Sequence, residues 1–242
     1  FALYEDSIGS LSALLADEMG LGKTVQAAVA IRHLIMTREI DRALVIVPSS
    51  LKLNWQLEIN KWAPELSVRL LEGSAARRKV EYLLPSSVLI ASYDQVRADS
   101  ELLAVASQFD LLCLDEAQNI KNPNSRTARI CRTISRTRSW AMTGTPLENT
   151  PSDLVAICRF VAPGLLVDGM QKSEMHAAIQ PLFLRRKKHE VFEQLPEIID
   201  QEINLVLTPE QKEILLRAGT EPPSSSPLNH EKREGDYLCA AC

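Results

Sequence analysis

The chain has 242 residues, 45% hydrophobic and 24% charged, with 27 Lys and Arg against 31 Asp and Glu. That length holds one large domain or two small ones, and no apolar run approaches the roughly 20 residues that span a bilayer. A net charge of −4 argues against coating nucleic acid by bulk electrostatics, although phosphate contacts need only a local basic or hydrogen-bonding strip.

The first residues lack a basic stretch followed by an apolar core and a cleavage site, so no secretory signal is expected. The chain is expected to be cytoplasmic in a bacterium or nuclear in a eukaryote, with no membrane partner. Of five cysteines, Cys113, Cys131 and Cys158 lie in apolar or helical patterns and read as small core residues of a reducing compartment.

In chain order, a helical pattern covers 23–37 and a β-branched apolar run, ALVIV, covers 43–47. Helical patterns follow at 51–62 and 75–83, separated by a weaker strand candidate at 68–71. VLIA at 88–91 and LLCL at 111–114 read as strands, with a helix at 101–107 between them. A helix at 125–135 and a weaker strand at 140–142 complete the alternation. Short apolar strands separated by helices predict a doubly wound α/β fold with a mostly parallel sheet. Its strand-to-strand connections are right-handed crossovers.

After Pro163-Gly164 the rhythm weakens. A basic run, Arg185-Arg186-Lys187-Lys188-His189, precedes a short apolar piece at 205–207. Thr208 reads as an N-cap with Pro209 at the first helical position. Residues 220–236 are rich in Pro, Ser and charge and are expected to form a linker. The expected organisation is an α/β domain over 1–200, an exit strand and helix over 201–219, and a tail over 220–242.

Residues 14–30 read LLADEMGLGKTVQAAVA. A phosphate loop is G-x-x-x-x-G-K-[ST], a turn whose backbone N–H groups surround phosphates. Counting back from Gly22-Lys23-Thr24 places its first Gly at position 17, which holds Asp17. A bare G-K-T triplet is a common turn. The apolar helix that follows favours a nucleotide site, because helix N-termini bind phosphates through free N–H groups and the dipole. Gly20, Leu21 and Gly22 supply that backbone. Lys23 would reach the β- and γ-phosphates of ATP, and the Thr24 hydroxyl would ligate Mg²⁺.

Leu111–Leu114 end in Asp115-Glu116-Ala117-Gln118, as a buried strand delivering acids to a sheet's C-terminal edge should. Asp115 would hold Mg²⁺, directly or through water, and Glu116 would orient and deprotonate the attacking water. Acids at a helix N-terminus are the bland alternative, which the upstream phosphate loop disfavours. Thr143-Gly144-Thr145 can sense a γ-phosphate or form an ordinary turn, and residue types alone leave that open.

Six stretches carry a resemblance: LADEMGLGKTVQA (15–27), ALVIVPSSLKLNWQLEINKW (43–62), ASYDQVR (91–97), LCLDEAQNIKN (112–122), AMTGTPLEN (141–149) and LRRKKHEVFEQLP (184–196). In order and spacing they resemble the N-terminal RecA-like lobe of the SWI/SNF family of helicase-like, DNA-translocating ATPases of helicase superfamily two. The D-E-M-G-L-G-K-T string makes Asp17-Glu18 a family mark, not a damaged loop. The resemblance implies ATP and Mg²⁺ as cofactors and the backbone of double-stranded DNA as partner. It assigns Pro48, Ser49, Ser92 and Tyr93 to strand-contacting segments, with Lys121 and Asn122 following the acidic motif. It makes Thr143, Gly144 and Thr145 the link between ATP state and DNA grip. Gln118 stands where the family commonly has His, and its amide can still hydrogen-bond toward Thr143.

Two departures accompany the resemblance. The adenine-contacting segment that the family carries upstream of the loop has no counterpart here, and nothing after residue 210 resembles a second RecA-like lobe with its arginine finger. Weak ATP binding and little hydrolysis are therefore expected of these residues alone, since an arginine finger contributes about 10³–10⁵ in rate. The alternatives are a non-catalytic nucleotide-binding interaction module, or a superfamily-two enzyme acting on RNA or single strands.

Other features have bland readings beside sharp ones. Arg126, Arg129, Arg132 and Arg136 recur at helical steps, as either a phosphate- or lobe-contacting stripe or a solvated face. The basic run at 185–188 lies, by the resemblance, near the exit toward a second lobe, and a brace between lobes is favoured for it over a nucleic-acid patch. Trp55 and Trp62 are expected to pack in the core. Cys239 and Cys242, with His230 upstream, could be half of a zinc site, which needs about four ligands; with no second pair in the sequence, metal binding by these residues alone is not expected.

Overall fold

A computed structural model describes residues 4–5, 11–106, 109–144, 151–167, 169–191 and 213. The chain divides into two units, Phe1–Glu193 and Gln194–Cys242, and all the elements below belong to the first. Thr145, the Leu147-Glu148-Asn149 stretch, Thr208-Pro209, the expected segments at 201–219 (apart from Glu213) and 220–242, His230 and the terminal cysteines lie outside the described residues.

The central strands form where continuous apolar sequence can bury both faces. In Ala43–Val47 (β3), Val88–Ser92 (β5) and Phe109–Leu114 (β6), every residue except Asp110 is buried. Tyr4–Glu5 (β1), Leu11–Leu15 (β2), Val68–Leu70 (β4), Arg136–Met142 (β7) and Phe183–Leu184 (β8) complete the sheet. Its order is β1-β2-β7-β6-β3-β5-β4, with β8 also on β2. Every pairing is parallel except β1 with β2. One edge of β2 faces β7. The other takes β1 at Leu11–Ser12 and β8 at Leu14–Leu15.

Parallel strands need crossovers, and helices supply them. These are Lys23–Met36 (α1), Lys52–Trp62 (α2), Ala75–Leu83 (α3), Tyr93–Ala98 (α4), Ser100–Ala106 (α5) and Arg126–Thr133 (α6). Pro151–Val161 (α7), Lys172–Ile179 (α8) and Lys188–Val191 (α9) follow. Strand alternation sends Ala43, Val45 and Val47 to one face, where Ala27, Ile31, Trp55 and Ile59 of α1 and α2 cover them. Leu44 and Ile46 face a second core with Tyr82, Val96, Cys131, Ile157 and Phe160. Each fully buried Leu, Ile or Val contributes about 1.5–3 kcal/mol relative to exposure.

The fold is the expected doubly wound α/β, with differences at its margins. β1, β2, β8, α4, α7, α8 and α9 were not among the predicted elements. β7 starts at Arg136, not at Trp140, so the fourth arginine of the supposed helical stripe is on a strand. Its guanidinium caps α6 by donating to Cys131 O, Arg132 O and Ile134 O at 3.1, 3.1 and 2.8 Å, and lies 4.5 Å from the Phe160 ring. Arg132 donates to Pro123 O at 2.7 Å. Those two members of the stripe are half-buried. Trp55 is fully buried, whereas Trp62 is 42% exposed and packs only at the surface, contrary to the core packing expected of it.

Candidate nucleotide-binding site

Three adjacent strands end side by side. β2 leads into Asp17-Glu18, β7 into Thr143-Gly144 and β6 into Asp115-Glu116, so the phosphate loop and the acidic motif flank the Thr-Gly turn. This is the C-terminal edge of a parallel sheet, where open α/β folds bind ligands.

The loop turns at Gly20 and Gly22, whose φ values of 86° and 70° are left-handed and cost glycine nothing. Gly22 caps α1, which begins at Lys23 and Thr24. Lys23 Nζ donates to Asp17 O at 2.8 Å and Glu18 O at 3.3 Å, so the ammonium folds back over its own loop. Burial pushes its pKa below the ordinary lysine value, against the charges of Glu116, Asp115, Asp17 and Glu18. The turn after β7 packs directly on this loop. A Cβ on Gly144 would stand 2.7 Å from Met19 Cγ and 3.3 Å from Lys23 Nζ.

Asp17 is fully buried. Its Oδ1 accepts from Arg186 N at 2.9 Å, its Oδ2 accepts from Gln26 Nε2 at 3.1 Å, and the Arg186 guanidinium pairs with both oxygens. Burial raises its pKa, and the bonds from Arg186 and Gln26 outweigh that, leaving the carboxyl below its usual range. The position where an ordinary loop has glycine is an anchor here.

Asp115 is buried too, but it meets no guanidinium. Its Oδ2 accepts from Trp55 Nε1 at 2.7 Å and its Oδ1 from Glu116 N at 2.9 Å. Burial raises its pKa; the Trp55 bond opposes that only in part. A buried carboxylate whose hydrogen bonds come from neutral N–H dipoles keeps lone pairs free, which suits a divalent cation. Asp115 and the Thr24 hydroxyl are hard oxygen donors of the kind Mg²⁺ takes alongside substrate phosphates and water.

Glu116 has φ 49°, left-handed for a residue with a Cβ, a conformation that costs about 1–3 kcal/mol and concentrates at functional sites. Asn119 Nδ2 donates to its carbonyl at 2.8 Å, and Gln118 Nε2 to its Oε2 at 2.7 Å. Gln118 Oε1 in turn accepts from Thr143 Oγ1 at 3.0 Å. A continuous side-chain path therefore runs from the acidic motif to the end of β7, as expected of Gln118.

The expected strand-contacting residues divide. Ser49, Lys121 and Asn122 are exposed, and Pro48 is half-buried at the end of β3. Ser92 and Tyr93 turn inward. Ser92 Oγ caps α4 by accepting from Gln95 N at 3.3 Å, and Tyr93 Oη donates to Asp115 O at 2.7 Å. Both side chains are buried, Ser92 holding the start of α4 and Tyr93 holding the Asp115 carbonyl. Pro48, Ser49, Tyr93 and Asn119 still border one shallow depression.

The comparisons agree with this architecture. The SNF2-related domain pattern matches residues 3–232. The chain belongs to the SNF2-related family. An uncharacterized ATP-dependent helicase of Mycoplasma pneumoniae is 35% identical over 222 residues, covering 86% of this chain and 21% of its own length. The chromatin remodeling factor mit1 of Schizosaccharomyces pombe is 34% identical, covering 82% and 16%. The Sulfolobus solfataricus SWI2/SNF2 ATPase core in complex with dsDNA superposes with a TM-score of 0.69 at 32% identity, covering 86% of this chain and 47% of that one. This SNF2-related chain thus spans about a fifth of the first relative and about half of the solved core, with the RecA-like α/β fold of that core.

The supporting residues carry no local sign of their role. Trp55 read as core packing, Gln26 as an ordinary helix residue, and Arg186 as one charge in a basic run. The Trp55–Asp115 and Arg186–Asp17 contacts join residues 60 and 169 positions apart. No helix among the described residues is long and apolar enough to cross a membrane.

Proposed function

We propose that this SNF2-related chain is the first motor lobe of an ATP-dependent translocase acting on double-stranded DNA. The observation that carries the reading is the convergence of Lys23, the Asp115-Glu116 pair and Thr143 at three neighbouring strand ends. Gly20, Leu21, Gly22 and Lys23 bind the phosphates in this reading, through backbone N–H groups and one ammonium. Lys23 must swing from Asp17 O and Glu18 O toward them. Asp115 and Thr24 hold Mg²⁺, which when bound neutralises charge on the phosphate oxygens. Glu116 orients the attacking water and accepts its proton. Thr143 senses the result through Gln118, and Gly144 lets the turn approach the loop.

Pro48, Ser49, Lys121 and Asn122 face the DNA backbone in this proposal, while Ser92 and Tyr93 act from behind them. The solved relative titled as a complex with dsDNA supports that partner. Contact with phosphates but not base edges makes movement independent of sequence. The chain corresponds to 47% of that core, so the proposal assigns closure over the γ-phosphate to a second lobe.

ATPase activity of the intact protein tests this. Duplex DNA is expected to stimulate wild type, and Lys23→Ala is expected to lose on the order of 10²-fold or more of kcat/KM, the scale of removing one preorganised electrostatic donor. Undiminished turnover in Lys23→Ala would sink the reading. Stimulation by RNA and not by duplex DNA would replace the proposed partner.

A further inference from the structure

The phosphate loop of this chain is gripped from outside itself. β8 and the residues after it run beside β2 and continue past its end. The carbonyls of Leu182, Leu184 and Arg186 accept from the N–H groups of Leu14, Ala16 and Glu18 at 2.8, 2.8 and 3.0 Å. The bonds then reverse direction: Arg186 N donates to Asp17 Oδ1 at 2.9 Å, and Lys188 N donates to Glu18 Oε2 at 2.7 Å. The approach to the loop is therefore one side of a ladder whose other side is residues 182–188.

At the centre of that ladder sits a three-residue node. The Arg186 Nε lies 3.2 Å from each Asp17 oxygen, and a terminal nitrogen of the same guanidinium bonds Asp17 Oδ2 and donates to Gln26 Oε1 at 2.7 Å. Gln26 Nε2 closes the ring on Asp17 Oδ2 at 3.1 Å and also reaches Leu21 O at 2.9 Å. The node therefore holds the loop at both flanks, through the Asp17 carboxylate before the turn and the Leu21 carbonyl within it. The Lys188 side chain lies over the apex, with Cε 3.2 Å from where a Gly20 Cβ would stand.

An ion pair that only stabilised the fold would not need this reach. A buried carboxylate is costly unless paired and fully hydrogen-bonded, and any neighbouring cation could meet that need. Here the partner is a planar fork that binds a carboxylate and an amide together, which a lysine cannot reproduce. Ordering the loop within the folded lobe removes an entropy cost that nucleotide binding would otherwise bear.

We propose that Arg186 is a positioning residue for nucleotide binding. Wedged between Asp17 and Gln26, it fixes residues 17–21 in their binding shape before nucleotide arrives. The inference rests on the reading of this loop as a nucleotide site. It gives residues 184–188 a role in setting ATP affinity, beside the brace between lobes that the resemblance implies.

The test uses the intact protein with Arg186→Met, Arg186→Lys, Asp17→Asn and the Asp17→Asn/Arg186→Met pair. ATP binding is measured by calorimetry without DNA, steady-state ATPase with DNA, and amide exchange across residues 17–24 without nucleotide. Arg186→Met is expected to weaken ATP binding about tenfold or more, the range seen when supporting partners of a bound group are removed. KM should rise with it, kcat should stay within about threefold, and the nucleotide-free loop should exchange faster. Arg186→Lys should fall between, and the double variant should bind no more weakly than the weaker single, because both changes break one node.

A lowered melting temperature with ATP affinity within about twofold of wild type and unchanged loop exchange would reduce Arg186 to a scaffold residue and overturn the proposal. If Arg186→Met does not fold, the same criteria apply to Arg186→Lys. Failure of wild type to bind ATP would overturn the nucleotide reading first, and it is seen before any variant is made.

Discussion

Asp17 and Asp99 are both buried and both held by an arginine, yet they serve different parts of the lobe. Asp99 follows α4, where Arg78 of α3 reaches it with Nε at 2.6 Å and a terminal nitrogen at 2.5 Å, and Tyr82 Oη adds a bond at 3.3 Å. All of its bonds tie scaffold helices together. The Asp17 pair uses the same chemistry at the sheet edge, where its bonds continue into the phosphate loop. Position in the fold, not the type of interaction, separates a structural ion pair from one that shapes a site. Asp115 sharpens the contrast: it is buried without an arginine and so keeps room for a cation.

The largest separation should come from Asp99→Ala. Removing one partner strands Arg78 in a largely buried position, and such changes cost about 3–5 kcal/mol. Denaturant unfolding should show that loss, while the ATP affinity of the remaining folded protein stays at the wild-type value. A clear drop in ATP affinity would erase the distinction between the two pairs.

A smaller effect, in pH, should distinguish Asp17 from Asp115. The depressed Asp17 pKa means that its pair stabilises the fold above the unfolded pKa and is lost as pH falls through the folded one. Asp115 is raised, so its proton is held more tightly in the fold, and its contribution to stability declines as pH rises. Cation binding needs the carboxylate, so Mg²⁺-dependent ATP binding should fall on acidification at a higher pH than an unperturbed aspartate would give. Trp55→Phe removes the N–H that favours the charged form and should move this midpoint higher still. A pH titration of Mg²⁺-dependent ATP binding measures it, and an unmoved or lowered midpoint would detach Trp55 from Asp115 function.

The smallest effect belongs to the surface. Arg32 pairs with Glu65 where both side chains are solvated, at 45% and 32% exposure. Arg32→Ala should change stability by less than about 1 kcal/mol and leave ATP affinity alone. A larger loss in denaturant unfolding would mean that exposure is a poor guide to which pairs matter here.

What could be read in advance follows from the range of the interactions. β3, β5 and β6 were visible because strands buried on both faces carry unbroken apolar runs. The loop and the acidic motif were visible because their chemistry is local. β2 was missed since LSALL is short and built partly of small residues, although a phosphate loop itself demands a strand before it. β7 was read too short because Arg136 and Arg138 lie at its start. β8 has two residues and adjoins a basic run, so nothing periodic marked it. Within that run only Arg186 is tied to Asp17, and a charge pattern cannot show which of four cations meets a partner 169 residues away.

The place of β2 in the sheet has a consequence for biosynthesis. The strand that carries the phosphate loop is made early, yet its neighbours, β7 and β8, are among the last described elements to emerge. At about 5–20 residues per second, the ribosome needs roughly 10–35 s to add the 169 residues that separate Asp17 from Arg186. Until the end of that interval the nascent chain carries the Asp-Glu-Met-Gly-Leu-Gly-Lys-Thr string without the Arg186 side chain that ties Asp17 to Gln26. On the proposal above, full nucleotide affinity dates from the emergence of residues near 190, and a chain stalled before them would display the motif with its loop unanchored.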